Sequence, residues 1–256
     1  MDILNQWIVS QTDGGARLYD ATGVVALVPM IAVAVWYLRR HRMPLLKGLV
    51  VTALGYGMTL LIHNLVMWMM EGFASGRYGM EVNLCVGFVY LPLFALLLGA
   101  VFDLPYGHTA DLLAVSVTAF HVLGRLGCLF TGCCYGYPCS WGLWSIQAES
   151  YRFPVVPVEG AFTLAILVFL LFRVGRRGYT PDGRTLPWML AIYGLCRFGS
   201  EFLRDNEKLF LGLSNISLHA LFMMAVGIGM LLWSARKAAV TLDNEPPLPT
   251  IKGRRQ

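Results

Sequence analysis

Charge is what this sequence has least of. Only 14% of its 256 residues are charged and 57% are hydrophobic, whereas a soluble domain carries roughly a quarter of its residues as Asp, Glu, Lys or Arg. So little charge excludes an ordinary soluble globule. The chain also lacks any polar stretch between its apolar runs that is long enough to form a separate soluble domain, and it shows no internal repeat. No small-residue cleavage pattern accompanies the first apolar run, and a polar stretch of about 20 residues precedes it. That argues against a removable signal peptide and for a retained first helix. Six cysteines do not make a disulfide scaffold, because Cys85 and Cys196 fall inside apolar runs.

What is present are seven apolar runs, at about 20–38, 48–70, 82–101, 111–130, 155–172, 186–203 and 213–233. A bilayer crossing takes about 20 residues of helix, so the runs predict an all-α, polytopic membrane protein with seven transmembrane helices. With the N-terminus outside, thirteen Lys and Arg fall in the inner segments and only five in the outer ones (Arg17, Arg77, Arg152, Arg204, Lys208). That asymmetry predicts an outer N-terminus and a cytoplasmic C-terminus. The inner collar accounts for the net charge of +5, so no nucleic-acid partner is needed to explain it. Trp36, Tyr37, Trp68, Trp188 and Trp233, near run ends, fit interfacial anchoring. One membrane-embedded domain over 1–236 is expected. A polar tail follows over 237–256, and its stretch TLDNEPPLPTIKGRRQ reads as disordered.

Against this background the polar residues inside the runs stand out. Arg125 lies about a turn and a half from the outer end of the fourth run, in GRLGCLFTGCCYG, and His121 lies one turn earlier on the same face. The sixth run reads YGLCRFGSEFLRDN, and Tyr193, Arg197, Glu201 and Arg204 follow at spacings of four, four and three, on one stripe. An intramembrane arginine costs about 3 kcal/mol or more unless compensated. Arg197 and Glu201 can neutralise each other as an i, i+4 pair, and Arg204 alone can snorkel to the interface. Three arginines against one carboxylate, however, leave excess positive charge at one depth. A phosphate suits such a site because the guanidinium fork binds it through two parallel hydrogen bonds.

Gly124, Gly127, Gly132 and Gly136 read either as close helix packing or as places where the backbone turns or approaches a ligand. Cys128, Cys133, Cys134 and Cys139 lie within twelve residues. They admit a disulfide at an oxidising face or a reactive thiol. Their spacing does not match a zinc site, and no metal is expected.

At these residues the chain resembles the prolipoprotein diacylglyceryl transferase family. The likeness is carried by GRLGCLFTGCCYG and by YGLCRFGSEFLRD, with weaker support from ADLLA at 110–114 and from FPVVPVE, which keeps Pro154 and Glu159. The resemblance implies a seven-helix enzyme of the bacterial cytoplasmic (inner) membrane, working at its outer face without a cofactor. It would move the diacylglyceryl group of phosphatidylglycerol to the lipobox cysteine thiol of a prolipoprotein and release glycerol phosphate. On that basis Arg125 matches the arginine that binds phosphatidylglycerol, Gly136 closes the same signature, and Tyr193, Arg197, Glu201 and Arg204 match the polar stripe of the penultimate helix.

In such a reaction negative charge on the leaving phosphate must be held, by Arg125 and Arg197, and a base must take the thiol proton. His121 and His63 are the imidazoles for that task, with His121 weakened as a base by the arginine beside it. Departures from the family pattern are specific. An H-G-G segment is replaced by MEVNLCVGFVYLP, and two asparagines and a glutamate by Cys128, Thr131 and Cys133. A glutamine before the last helix has no counterpart near GLSNISLHA. Two alternatives stand beside the transferase: a phospholipid-dependent enzyme with another acceptor, and a lipid-binding or transport protein without chemistry.

Overall fold

A computed structural model describes residues 12–75, 84–132, 134–145, 148–205 and 212–243. Among them are eight helices, α1 (Thr12–Arg40), α2 (Leu45–Ser75), α3 (Leu84–Phe88), α4 (Leu91–Phe102), α5 (Tyr106–Thr131), α6 (Val155–Gly175), α7 (Thr185–Glu201) and α8 (Asn215–Asp243). A hairpin of β1 (Pro138–Ser145) and β2 (Ser150–Arg152) joins α5 to α6.

Each apolar run is largely helical, yet among the described residues only five helices are long and apolar enough to cross a bilayer. The 82–101 run is broken between α3 and α4, where Pro92 opens α4. Proline cannot donate to the preceding turn and disfavours helix in the residue before it. Helix α7 has 17 residues, about 25 Å at 1.5 Å per residue, short of a hydrocarbon core of about 30 Å. The hairpin is the departure from an all-α fold, and α8 runs on to Asp243, seven residues past the expected boundary at 236. The tail beyond it, 244–256, lies outside the described residues.

The burial pattern is that of a multi-pass membrane protein. Leu46, Leu61 and Val101 are 70–78% exposed, an arrangement that only a lipid surround makes favourable. Helix α5 is the axis: 72% of its apolar window is buried, against 22–39% for the other four spans. Around it pack α1, α2, α4, α6 and α7. Helices α7 and α8 meet almost backbone to backbone. A Cβ on Gly194 would lie 2.8 Å from the carbonyl oxygen of Ala220, and one on Gly227 would lie 2.5 Å from the amide nitrogen of Ala191, the small-residue contact typical of membrane helices. Of the expected interfacial aromatics, Trp36, Trp188 and Trp233 are exposed, but Tyr37 is fully buried. Its ring packs on His41 at 4.4 Å, so it belongs to the core. The side chain of Trp68 lies outside the described residues.

Candidate active site

Three backbone segments are clasped together at the end of α5. Gly132 ends the helix at φ +64°. The chain then passes Gly136, which bridges Arg204, while Tyr137 donates its N–H to Leu203 at 3.1 Å and accepts that of Phe153 at 2.9 Å. A Cβ on Gly136 would sit 2.7 Å and 2.8 Å from the carbonyl oxygens of Phe153 and Leu203. Glycine at 136 therefore lets the entry to α6 and the exit from α7 lie side by side. That is a packing role, and it fixes where Glu159 and Arg204 stand.

Inside the clasp Arg125, Arg197 and Arg204 converge on one carboxylate, Glu159. Arg197 Nη1 donates to its Oε1 at 2.6 Å and Arg204 Nη2 to its Oε2 at 2.6 Å, while Arg125 Nη1 lies 3.2 Å from Oε2. Ser200 donates a further bond to Oε1 at 2.6 Å. Glu201 lies 3.0 Å from Arg197 and accepts from Ser214 at 2.9 Å. His121 Nε2 and the Tyr193 hydroxyl are 2.7 Å apart, and Arg125 Nη2 donates to that hydroxyl at 3.4 Å.

The structure thus brings together His121 and Arg125 of α5, Tyr193, Arg197 and Glu201 of α7, and Arg204 just beyond the end of α7. Two points of the sequence reading change. The cluster holds two carboxylates, so three positive charges face two negative ones and the surplus is one. Arg204 is 6% exposed, a buried ion-pair partner and not a snorkelling one. Glu159, at the site's centre, enters the sequence reading only as a glutamate kept in the family resemblance and has no place in the polar set, and Ser200 and Ser214 are not named there at all. For Glu159 the signal was present: a carboxylate one turn into an apolar run needs a cation from elsewhere. The serines carry no such signal.

The remaining residues lie around this core. Cys128 and Cys134 are half-buried and line a cavity of about 40 Å³ with Gly132, Trp144 and Arg152. Cys139 is a free thiol on β1. Cys133 and the side chain of Thr131 lie outside the described residues. His63 is fully buried on α2, whereas α5, α6 and α7 build the cluster. A second cavity, of about 10 Å³, lies against Glu159, Tyr193, Cys196 and Arg197.

Electrostatics separates the three arginines. Arg197 and Arg204 are each held to Glu159 by a bond of 2.6 Å, whereas the contacts of Arg125 with Glu159 and Tyr193 both exceed 3 Å. Removing one member of such a buried ionic set leaves an uncompensated charge, at a cost of about 3–5 kcal/mol. Arg125 has donor capacity to spare for an incoming anion.

Comparison with known proteins covers the same part of the chain. The model of the family described as prolipoprotein diacylglyceryl transferase matches residues 84–233, more than half the chain and all the cluster. Among relatives named phosphatidylglycerol–prolipoprotein diacylglyceryl transferase, one from Dehalococcoides mccartyi is 29% identical over 143 residues, 53% of this chain and 54% of that protein. One from another strain of that species is 25% identical over 85% of this chain and 87% of its own length. A relative from Paraburkholderia xenovorans is 36% identical over 38% of the chain and 35% of its own length. The match thus spans about half the length of the first of these relatives.

Proposed function

The chain belongs to the prolipoprotein diacylglyceryl transferase family, and from that premise we propose that it transfers the diacylglyceryl group of phosphatidylglycerol to the lipobox cysteine of a prolipoprotein. The observation that carries this reading is the surplus positive charge of the Arg125–Arg197–Arg204 cluster, together with the spare donors of Arg125. A buried cluster with one positive charge in excess favours an anion, and a phosphate diester supplies one charge and acceptor oxygens for a guanidinium fork.

Arg125 binds the phosphate of the lipid. Glu159 keeps Arg197 and Arg204 in place, with Arg197 aimed at the charge that grows on the leaving group. The acceptor sulfur attacks the glycerol carbon next to the phosphate, forming an S–C bond as the C–O bond breaks, and glycerol phosphate departs with the bonding pair. The thiol proton goes to His121, whose buried Nδ1 has no hydrogen-bond partner and whose ring is oriented through Tyr193. Glu201, engaged by Arg197 and Ser214, is a charge-balancing residue in this scheme. In this scheme the site faces the outer leaflet, with the N-terminus on the same side, a placement supported by the loop charge asymmetry counted over seven crossings.

Cavities of about 40 Å³ and 10 Å³ lie beside the hairpin and the α6–α7 seam, and in this scheme the lipid reaches Arg125 through one of these two places. The test is direct: purified protein, phosphatidylglycerol and a short lipobox peptide, with mass spectrometry for a peptide bearing one diacylglyceryl group. We expect product from the unmodified protein and a loss of roughly 100-fold or more in Arg125→Ala, the range seen when one charge-stabilising donor is removed. No product, with phosphatidylglycerol still bound through Arg125, would overturn the reading in favour of another acceptor or a binding protein.

A further inference from the structure

Away from the arginine cluster, an open groove of about 600 Å³ runs along the seam between α7 and α8. Its length is apolar, lined by Trp188, Ile192, Leu195, Ile228 and Leu231, and its end carries Arg173 and Arg184. Arg184 also donates to the Ser234 carbonyl at 3.1 Å, which closes that end across the two helices.

Two magnitudes say what the groove fits. From Arg184 to Leu195 is eleven residues of chain, about 16 Å at the helical rise, and half of a hydrocarbon core is about 15 Å. The groove therefore has the length of one leaflet's acyl chain, starting at the interface. At its head two guanidiniums share one carboxylate at modest distances: Arg173 lies 3.3 Å and Arg184 3.7 Å from Asp182. Among these three side chains one positive charge is left over, and the Arg184 side chain is 38% exposed, open to a ligand. A zwitterionic lipid would bring its own cation against these arginines, whereas an anionic one would not.

We propose that this groove is a binding site for an anionic phospholipid of the leaflet opposite the Arg125 cluster. One acyl chain lies along α7 and α8, and the phosphate sits between Arg173 and Arg184. This lipid is a resident ligand and not the substrate, because the groove opens at the other end of the bundle from Arg125.

The experiment uses the full chain in nanodiscs carrying a trace of phosphatidylglycerol with a photoreactive acyl chain and no acceptor peptide. After irradiation, adducts are mapped by mass spectrometry. Adducts are expected on Leu195, Ile228 and Leu231, competed by unlabelled phosphatidylglycerol and not by phosphatidylcholine. Each arginine near the surface is worth roughly five-fold in affinity for an anionic lipid. The double variant Arg173→Gln/Arg184→Gln should therefore lose roughly 25-fold in groove labelling and keep the labelling around Arg125. Ile228→Trp, which fills the groove and leaves both charges intact, should also abolish it. Equal competition by both lipids, with labelling unchanged in the double variant, would overturn the proposal in favour of unselective boundary lipid. Cross-links from the C-terminal tail to the groove, with no lipid adduct there, would overturn it as well.

Discussion

The two ends of α5 carry carboxylate clusters of opposite character. At one end Asp111 faces neutral donors: the Tyr179 hydroxyl at 2.5 Å and the Thr185 N–H at 3.1 Å, with Thr185 Oγ1 2.9 Å from the same hydroxyl. Burial and the neighbouring Asp111 push the Tyr179 phenol above its ordinary range, so it remains a donor. This end ties the loop between α6 and α7 to α5 and anchors the first turn of α7. At the other end Glu159 faces three guanidiniums and Glu201 two of them, and the sum is positive. A carboxylate satisfied by neutral donors stabilises a fold, and a cation excess held inside a membrane protein attracts a ligand. The difference lies in what surrounds each carboxylate, since both are buried acids in apolar helices.

Glu159→Gln should have the largest effect on that contrast. It leaves three arginines against Glu201 alone, and destabilisation of about 3–5 kcal/mol is expected, read as a lower midpoint of thermal unfolding in detergent together with loss of transfer. Asp111→Asn comes next. It keeps the shape but loses the charge that strengthens two hydrogen bonds, at about 1–3 kcal/mol. The midpoint should fall while the transfer rate per folded molecule holds. If that rate falls as far as in Glu159→Gln, the division between a structural end and a ligand end fails.

Tyr193→Phe sharpens the picture at the active end. It removes the hydroxyl between His121 and Arg125, worth about 0.5–1.5 kcal/mol. Activity should drop several-fold with little change in phosphatidylglycerol binding measured in parallel. Smallest of all, Cys139→Ser on the partly exposed hairpin should stay within about 0.5 kcal/mol of the parent in unfolding and keep its transfer rate. A large loss there would bring the thiols into the mechanism.

Much of this was legible in the order of residues. Helical periodicity put Tyr193, Arg197, Glu201 and Arg204 on one stripe, and run length put Arg125 at a matching depth. The motif resemblance named the family that residues 84–233 match. The break at Pro92 went unread in the single run 82–101, although proline's missing N–H acts locally. Gly136 was legible as a special position but not in its reason. Whether a missing Cβ makes room for a ligand or for the carbonyls of Phe153 and Leu203 depends on segments far away in the chain.

Local interactions and apolar content therefore determined the helices, their membrane character and the depth of each polar group, because those depend on neighbours a few residues away. Only the packing of α5, α6 and α7 decided that three arginines share Glu159, that the excess is a single charge, and that Arg125 is the least engaged of the three. Charge balance is a property of distances between helices, and at 2.6 Å versus 3.2 Å it separates a locked guanidinium from one with donors to offer.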